Sequence, residues 1–313
     1  MNVKHNAPGK SHRKGISLLQ LTRLFPDDAT AEAWFVEQRW PTGIHCPFCD
    51  SDNIQERPTR KPQPYRCREC RKDFSVKTGT LMHDSKLGLR IWALALYLMN
   101  TSIKGVSSMK LHRDLGITQK TAWYLAHRIR EAWATGDRLF AGPVEVDETY
   151  MGGKNANKHA SKKIQNANGT VGKTAVVGMK DRKTNQVQAT VVERTNQETL
   201  QGFVNSRRVP GAKVYTDEHG GYIGLSNHES VKHSVGQYVD GMAHSNGIES
   251  FWAMLKRGYY GTYHKMSIKH LNRYVNEFSG RHNVRPLDTM TQMAMAARGM
   301  DGKRLSYADL TAV

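Results

Sequence analysis

The spacing of apolar residues changes character about halfway along the chain. In the first half, apolar side chains recur every three or four positions, which is typical of helices that bury one face. This spacing predicts a helix over 29–39, with Asp27 or Asp28 as its N-cap, and further helices between 86 and 134. Residues 44–78, which lie between them, lack long periodic runs and are rich in basic residues and cysteine.

From Pro143 onward, short runs of β-branched residues replace the helical spacing. These runs predict strands over 144–148, 174–179, 187–193, 213–216 and 230–238. Helices are predicted over 197–206, 245–257 and 289–298. This order of elements indicates a mixed five-stranded sheet with flanking helices, in the α/β class.

These changes of pattern divide the chain into regions, with breaks at Pro41 and Gly43 and at Gly142 and Pro143. We expect a multi-domain chain of the α+β and α/β classes. The expected regions are an N-terminal basic arm with helices (1–43), a cysteine-bearing module (44–80), a helical region (81–140), an α/β domain (141–285) and a tail with one helix (286–313).

The charge balance indicates a polyanionic partner. Lys and Arg number 46 against 28 Asp and Glu, so the formal net charge is +18. Such an excess favours either nucleic acid or an anionic membrane surface. The membrane alternative is disfavoured, because the most apolar run, 91–99, is far shorter than the roughly 20 residues that cross a bilayer.

The N-terminal segment is basic but lacks the apolar core and cleavage site of a signal peptide. Its cations, among them Lys4, Lys10 and Arg13, suit either a flexible arm that touches phosphates or a tail with no role. We therefore expect the cysteines to lie in a reducing cytoplasm, where disulfides are rare.

The four cysteines form two Cys-X-X-Cys pairs, Cys46 with Cys49 and Cys67 with Cys70, separated by seventeen residues. Four thiolates at this spacing can close tetrahedrally on one Zn²⁺. The alternatives are a redox pair, which needs only one such motif, and a disulfide framework, for which a chain of this size has little need. Because sulfur fills all four positions, we expect the zinc to fold a zinc ribbon and not to catalyse.

Basic residues surround both cysteine pairs. On a small rigid module they suit contact with DNA phosphates, although an ordinary solvated face has the same composition. The candidate DNA-binding residues of this module are Arg57, Arg60, Lys61, Arg66, Arg68, Arg71 and Lys72.

Residues 105–133 have the pattern of a helix-turn-helix. A helix over 105–115 precedes a break at Gly116, and Thr118 is expected to cap a second helix over 118–133. The first turn of such a second helix enters the major groove, although an ordinary three-helix core has the same apolar pattern. The residues expected to contact DNA here are Gln119, Lys120, Thr121 and Tyr124.

Three acidic residues of the second half are candidate metal ligands. Asp147 lies on a predicted strand, Asp217 ends another, and Glu249 lies on a predicted helix, where Lys256 points the same way two turns later. Such carboxylates can hold two Mg²⁺ or Mn²⁺ ions for phosphodiester displacement, with the lysine contacting DNA near the cut. Singly, each acid fits a solvated strand end, a turn or a surface ion pair; together, in a very basic chain, they favour the metal site.

The phrases around these acids resemble those of DDE-type insertion-sequence transposases. They read Val-Asp-Glu-Thr-Tyr-Met-Gly-Gly from 146, Thr-Asp-Glu-His-Gly-Gly-Tyr from 216 and His-Ser-Asn-Gly-Ile-Glu-Ser-Phe-Trp from 244, and are similar to those of the ISXO-type group. Members of that group also carry an N-terminal zinc ribbon, so the resemblance covers residues 16 to about 285. It implies an RNase H-like catalytic domain that binds transposon ends, hydrolyses them to 3′-hydroxyls and joins these to target DNA. It also implies a homodimer on paired ends, in the cytoplasm at a prokaryotic-type nucleoid.

The third ligand is the least determined position, because the group varies there between Glu and Asn. This chain has Glu249 and, one turn earlier, Asn246, so we take Glu249 as the ligand and Asn246 as a supporting residue. His244 could position water or DNA, but capping of the helix by His244 or Ser245 is the favoured interpretation.

A lysine-rich segment, 152–173, is expected to form an inserted loop. It could clamp DNA or a second subunit, for instance through Lys162 and Lys163, or remain solvated. Two other functions fit the chain as a whole. One is a structure-specific nuclease or resolvase that cuts without joining, and the other is a catalytically silent zinc-ribbon DNA-binding regulator.

Overall fold

The computed structural model describes residues 15–134, 136, 138–153, 155–165, 169–230 and 245–312. The basic N-terminal arm, nearly all of the strand expected over 230–238, and His244 lie outside these ranges.

The described α-helices are α1 (Leu18–Leu24), α2 (Asp28–Arg39), α3 (Leu89–Thr101), α4 (Ser108–Leu115), α5 (Gln119–Ala132), α6 (Gln197–Asn205), α7 (Asn246–Gly258), α8 (Ile268–Asn283), α9 (Thr289–Arg298) and α10 (Tyr307–Thr311). The described strands are β1 (Ile54–Glu56), β2 (Tyr65–Cys67), β3 (Asp73–Phe74), β4 (Val144–Met151), β5 (Thr174–Asp181), β6 (Val187–Val192), β7 (Val214–Thr216) and β8 (His228–Ser230). Among these described helices, none is long and apolar enough to cross a membrane.

Local capping signals explain why several helix bounds match the prediction closely. The Asp27 carboxylate accepts a hydrogen bond from the Thr30 backbone N–H at 2.8 Å, so α2 begins at the next residue, Asp28. The Thr118 hydroxyl caps α5 in the same way, through the Thr121 N–H at 3.2 Å. Gly116, in the left-handed conformation with φ 63°, ends α4 and makes the break between the two helices.

A small antiparallel sheet, ordered β1-β2-β3, carries the cysteine module. Its core is made of Phe74 and the buried cysteines, with Trp40, at the end of α2, packed against them. The module is therefore joined to the helices before it by direct packing.

A helical core joins two ends of the described chain. Buried residues from α1 to α5, such as Trp92 and Leu96, share one cluster with Met293 of α9, Met300 and Leu310 of α10. The tail expected over 286–313 therefore packs as part of this core, and it holds the short helix α10 in addition to the predicted α9.

The second half forms the mixed five-stranded sheet that was predicted, in the order β6-β5-β4-β7-β8. Central strand β4 is antiparallel to β5 and parallel to β7, and β7 is parallel to β8. One face of the sheet packs on α7 and α8, and the other packs on α6. This arrangement confirms the fold class expected from the sequence and places β4 and β7 side by side with their chain directions aligned.

Candidate active site

The two predicted aspartates meet where β7 ends beside β4. Val214 and Tyr215 of β7 pair with Val144 and Glu145 of β4, so continuing this register brings Asp217 level with Asp147. One carboxylate oxygen from each aspartate and one from Glu148 all lie within 4.8 Å of one another. The structure therefore brings Asp147 and Asp217 together and adds Glu148, which sequence reasoning had left as part of a strand end.

The electrostatics of this cluster suit a bound cation. Asp147 is half-buried, and its pKa is raised to about 7 from an ordinary 3.8, first by burial and then by the negative charges of Asp217 and Glu148. Burial is also the main cause that raises the pKa of Glu148. A divalent cation would relieve this repulsion, and a donor set made only of carboxylate oxygens suits Mg²⁺ or Mn²⁺.

Two hydrogen bonds fix the Asp147 carboxylate. Its Oδ1 accepts from the Glu148 backbone N–H at 2.8 Å, and its Oδ2 accepts from the indole N–H of Trp252, on α7, at 3.0 Å. Gly178, the β5 partner of Asp147, makes room for this indole, because a Cβ there would lie 2.6 Å from the ring. Helix α7 is thereby held directly over the carboxylate.

A second carboxylate of β4 holds the start of α7. Glu145 points to the same face as Asp147, is almost fully buried, and accepts from the Ile248 backbone N–H at 2.9 Å. Its other oxygen pairs with Arg182 at 2.8 Å. A Cβ on Gly247 would lie 2.6 Å from the Glu145 carboxylate, so the glycine lets the helix approach this closely.

Glu249 lies at the edge of the cluster, in the first turn of α7. Its side chain is exposed and accepts a hydrogen bond from the Ser245 hydroxyl at 2.7 Å, and its charge helps to raise the pKa of Asp147. It is not one of the three acids whose oxygens meet. Asn246, the first residue of α7, and Lys256, two turns after Glu249, are also exposed.

The turn after β7 is tied to Glu148. The Tyr222 hydroxyl donates to one Glu148 oxygen at 2.7 Å, and His219 Nε2 lies 3.4 Å from the other. The His219 backbone N–H donates to Asp217 Oδ1 at 3.1 Å. His219 and Tyr222 belong to the Thr-Asp-Glu-His-Gly-Gly-Tyr phrase, which was the available signal for these contacts, but their roles appear only in the folded chain.

The four cysteines form a compact cluster. The sulfurs of Cys46 and Cys70 are 3.5 Å apart, those of Cys49 and Cys67 are 3.6 Å apart, and all four lie within 4.8 Å of one another. Zn–S bonds of about 2.3 Å in a tetrahedron separate the sulfurs by about 3.8 Å. The cluster fits structural zinc, as the sequence predicted.

The candidate DNA-binding residues of the zinc ribbon fall into two sets. Arg57 and Arg66 pair with Asp73, with Arg60 farther off at 3.9 Å, and Lys61 pairs with Glu32 at 3.2 Å. Three others are exposed, and they are Arg68, Arg71 and Lys72. The Lys72 ammonium lies 4.6 Å from the centre of the exposed Phe48 ring.

The exposed residues of α5 lie in its first turn. Gln119 and Lys120 are exposed, whereas α5 is buried from Leu125 to Arg130. Thr121 is half-buried beside its cap, and the Tyr124 hydroxyl donates to the Leu305 carbonyl at 2.7 Å. The structure therefore presents two of the four predicted residues of this helix and commits Tyr124 to the helical core.

The segment between β4 and β5 contains two short 3₁₀ turns, Asn155–Asn157 and Ala160–Lys162. Lys163 is exposed there. The Lys162 side chain and His244 lie outside the described part of the chain.

Comparison with known proteins finds similarity to transposases in two parts of the chain. Residues 139–283 match the family model of the ISXO2-like transposase domain, and residues 26–73 match that of the transposase zinc-ribbon domain. The chain is also 27% identical over 279 residues to an uncharacterized protein in transposable element ISH50 of Halobacterium salinarum. That alignment covers 84% of this chain and 93% of the relative. The resemblance inferred from the motifs is confirmed.

Proposed function

We propose that this chain, a DDE-type transposase by its two matched domains, binds transposon terminal inverted repeats, hydrolyses them to 3′-hydroxyl ends and joins those ends to target DNA. The observation that supports the chemistry best is the meeting of the Asp147 and Asp217 oxygens beside helix α7. Carboxylates converging from two strands, with a further acid on an adjacent helix, suit phosphoryl transfer.

Asp147, Asp217 and Glu249 are the proposed ligands of two Mg²⁺ or Mn²⁺ ions. Glu249 would reach them by turning away from the Ser245 hydroxyl, with exposed Asn246 as a supporting residue. Bound divalent ions supply stabilisation of the charge that develops on the phosphate oxygens in both cutting and joining. Trp252 and Glu145 hold α7 in place so that Glu249 stays near Asp147.

Positively charged side chains are the proposed DNA contacts. Exposed Lys256 would hold the DNA backbone near the cut, because it stands on the same side of α7 as Glu249. The exposed cations of the zinc ribbon and of the 155–165 segment would add phosphate contacts, and the first turn of α5, with Gln119 and Lys120, would contact the end sequence.

The proposed assembly is a homodimer, with one active site for each transposon end. Within each subunit we assign the basic arm and first helices to 1–43, the zinc ribbon to 44–80, the helix-turn-helix region to 81–140, the catalytic domain to 141–285 and the tail to 286–313. The packing of α9 on α3 makes that tail a part of the helical core.

A reconstituted reaction tests the proposal. Purified zinc-loaded protein, Mg²⁺, a fragment of the cognate transposon end and a plasmid target should give plasmid joined to that fragment. Cutting of the end without joined products would favour a nuclease or resolvase. End binding without any cutting would favour a DNA-binding regulator.

A further inference from the structure

The turn that follows β7 contacts both carboxylate oxygens of Glu148. Tyr222, which is fully buried, donates its hydroxyl to Glu148 Oε2 at 2.7 Å. On the other side, His219 Nε2 faces Glu148 Oε1 at 3.4 Å. Both oxygens of this carboxylate are thus engaged by one short segment, residues 219–222.

The tautomer of His219 follows from the hydrogen bond that its Nδ1 accepts. Nδ1 accepts a hydrogen bond from the Gly221 backbone N–H at 3.1 Å, so in the neutral ring the proton resides on Nε2, which faces Glu148. A Cβ on Gly221 would lie 2.7 Å from the Leu200 side chain of α6, so the glycine lets the turn pack closely there. The turn therefore packs against α6 on one side and is hydrogen-bonded to β4 on the other.

The same turn carries Asp217. The backbone N–H of His219 donates to Asp217 Oδ1 at 3.1 Å, so the residue that contacts Glu148 also orients the Asp217 carboxylate. Strand β7 ends at Thr216, and Asp217 therefore lies beyond the strand pairing that would fix its distance from β4. The contacts of Glu148 with His219 and Tyr222 supply that missing connection.

We propose that Glu148 is a positioning residue, which, through Tyr222 and His219, holds the Asp217 turn against β4 and so sets the separation of Asp217 from Asp147. The inference rests on the proposed function, because this separation matters for a metal site that needs both aspartates. Metal-binding side chains must be held within about 0.5 Å of the productive geometry, and outer hydrogen bonds commonly do this.

The test compares three variants of the zinc-loaded full chain. Tyr222→Phe removes only the hydroxyl that grips Glu148, and Glu148→Ala removes the carboxylate. Tyr97→Phe is the matched control, since it removes a hydroxyl that donates to the Ile16 carbonyl in the helical core. Two readouts are measured on each protein: amide hydrogen exchange of residues 217–222 without added Mg²⁺ or Mn²⁺, and Mn²⁺ affinity by electron paramagnetic resonance.

We expect both Tyr222→Phe and Glu148→Ala to speed exchange of the 217–222 amides and to weaken Mn²⁺ binding by roughly 10- to 100-fold. Tyr97→Phe should match the wild type in both readouts. Weaker Mn²⁺ binding with unchanged exchange in Glu148→Ala would make Glu148 a direct ligand and overturn the proposal. Normal Mn²⁺ binding in Tyr222→Phe would also overturn it.

A pair of His219 variants serves if Tyr222→Phe fails to fold. His219→Gln keeps an N–H near the position of Nε2 and should retain most of the Mn²⁺ affinity, whereas His219→Asn loses that donor and should not. Equal Mn²⁺ affinities in the two His219 variants would contradict the proposed positioning role of Glu148. Neither readout needs DNA, so the two proposals can fail separately. If the variants behave as expected but the wild type never cuts or joins DNA, the positioning role of Glu148 stands and the proposed function is refuted.

Discussion

At the scale of single residues, the Asp147 carboxylate is held by hydrogen bonds on both of its oxygens. It is fixed by the Trp252 indole and the Glu148 backbone, and its charge is opposed by neighbouring acids. Asp217 follows directly after β7, the strand that pairs in parallel with β4, on which Asp147 lies. Removing the charge from either aspartate should therefore affect catalysis, metal binding and stability in different directions.

Charge removal at the ligands should abolish both chemical steps together. Asp147→Asn and Asp217→Asn should eliminate end cutting and joining while leaving end binding unchanged in a gel-shift assay, because both proposed steps would use the same metal site. Glu249→Gln should do the same, whereas Lys256→Ala should only reduce activity. Activity in Glu249→Gln combined with a dead Asn246→Ala would make Asn246 the third ligand.

The raised pKa of Asp147 predicts how the stability of the protein depends on pH without divalent metal. A carboxyl whose folded pKa is about 7, against 3.8, contributes most stability below pH 4 and loses it as the pH rises to about 7. At pH 7.5 without Mg²⁺, Asp147→Asn should therefore raise the free energy of unfolding, on the order of 1–3 kcal/mol, since one pKa unit corresponds to about 1.4 kcal/mol.

Urea unfolding at two pH values measures this effect. The gain should shrink at pH 5, where the wild-type carboxyl is largely protonated, and added Mg²⁺ should stabilise the wild type but not Asp147→Asn. An equal gain at both pH values would show that relief of charge is not its cause.

At the scale of secondary structure elements, helix α7 depends on two glycines and two carboxylates for its place on the sheet. Gly178 admits the Trp252 ring and Gly247 admits Glu145, so the helix lies close against β4 and β5. The apolar stripe of this helix is buried, and it is formed by Ile248, Phe251, Trp252 and Leu255. The position of Glu249 therefore follows from how this helix docks.

Gly178→Ala tests that docking. The added methyl would lie 2.6 Å from the Trp252 ring, so the indole must move and its hydrogen bond to Asp147 must lengthen or break. We expect destabilisation of about 1–3 kcal/mol and a marked loss of cutting. Gly202→Ala is the control, because an added Cβ on this α6 glycine meets nothing within 4 Å and should leave cutting unchanged. Wild-type cutting by Gly178→Ala would show that the Trp252 contact is dispensable.

Elements with strong local signals were predicted best from the sequence. Caps at Asp27 and Thr118 fixed two helix starts, and α9 has the predicted bounds. Strand β4 runs three residues beyond its predicted end at 148, because pairing with β5 continues to Met151. Contacts between distant segments were not predictable from local sequence signals. The hydrogen bond from Tyr222 to Glu148, for example, joins residues 74 positions apart.

At the scale of the whole molecule, two separate metal sites should respond independently. Cys67→Ser should release zinc and unfold the ribbon, because all four thiolates of this module would hold the ion and the module's own core is small. The catalytic sheet should retain its urea midpoint, since its core clusters are separate from that of the ribbon. Elemental analysis and intrinsic fluorescence check these points, and a fully active wild type without zinc would contradict them.

The net charge of +18 predicts a steep salt dependence of DNA binding. Each phosphate neutralised contributes about −0.9 to the slope of log affinity against log salt. We expect a slope of roughly −4 or steeper, and Arg68→Ala and Lys72→Ala should each make it shallower by about one. Binding that barely changes between low and physiological salt would contradict phosphate contact as the main source of affinity.

The packing of α9 against α3 also orders events during synthesis of the protein. The buried cluster that includes Trp92 needs Met293 and Met300, which are made about 200 residues later. A nascent chain still on the ribosome can form the ribbon and the five-stranded sheet, but the helical core stays incomplete until α9 emerges. A message truncated before α9 would therefore yield a protein with its proposed catalytic acids in place and an unfinished helical core, and we expect it to be unable to select a DNA end.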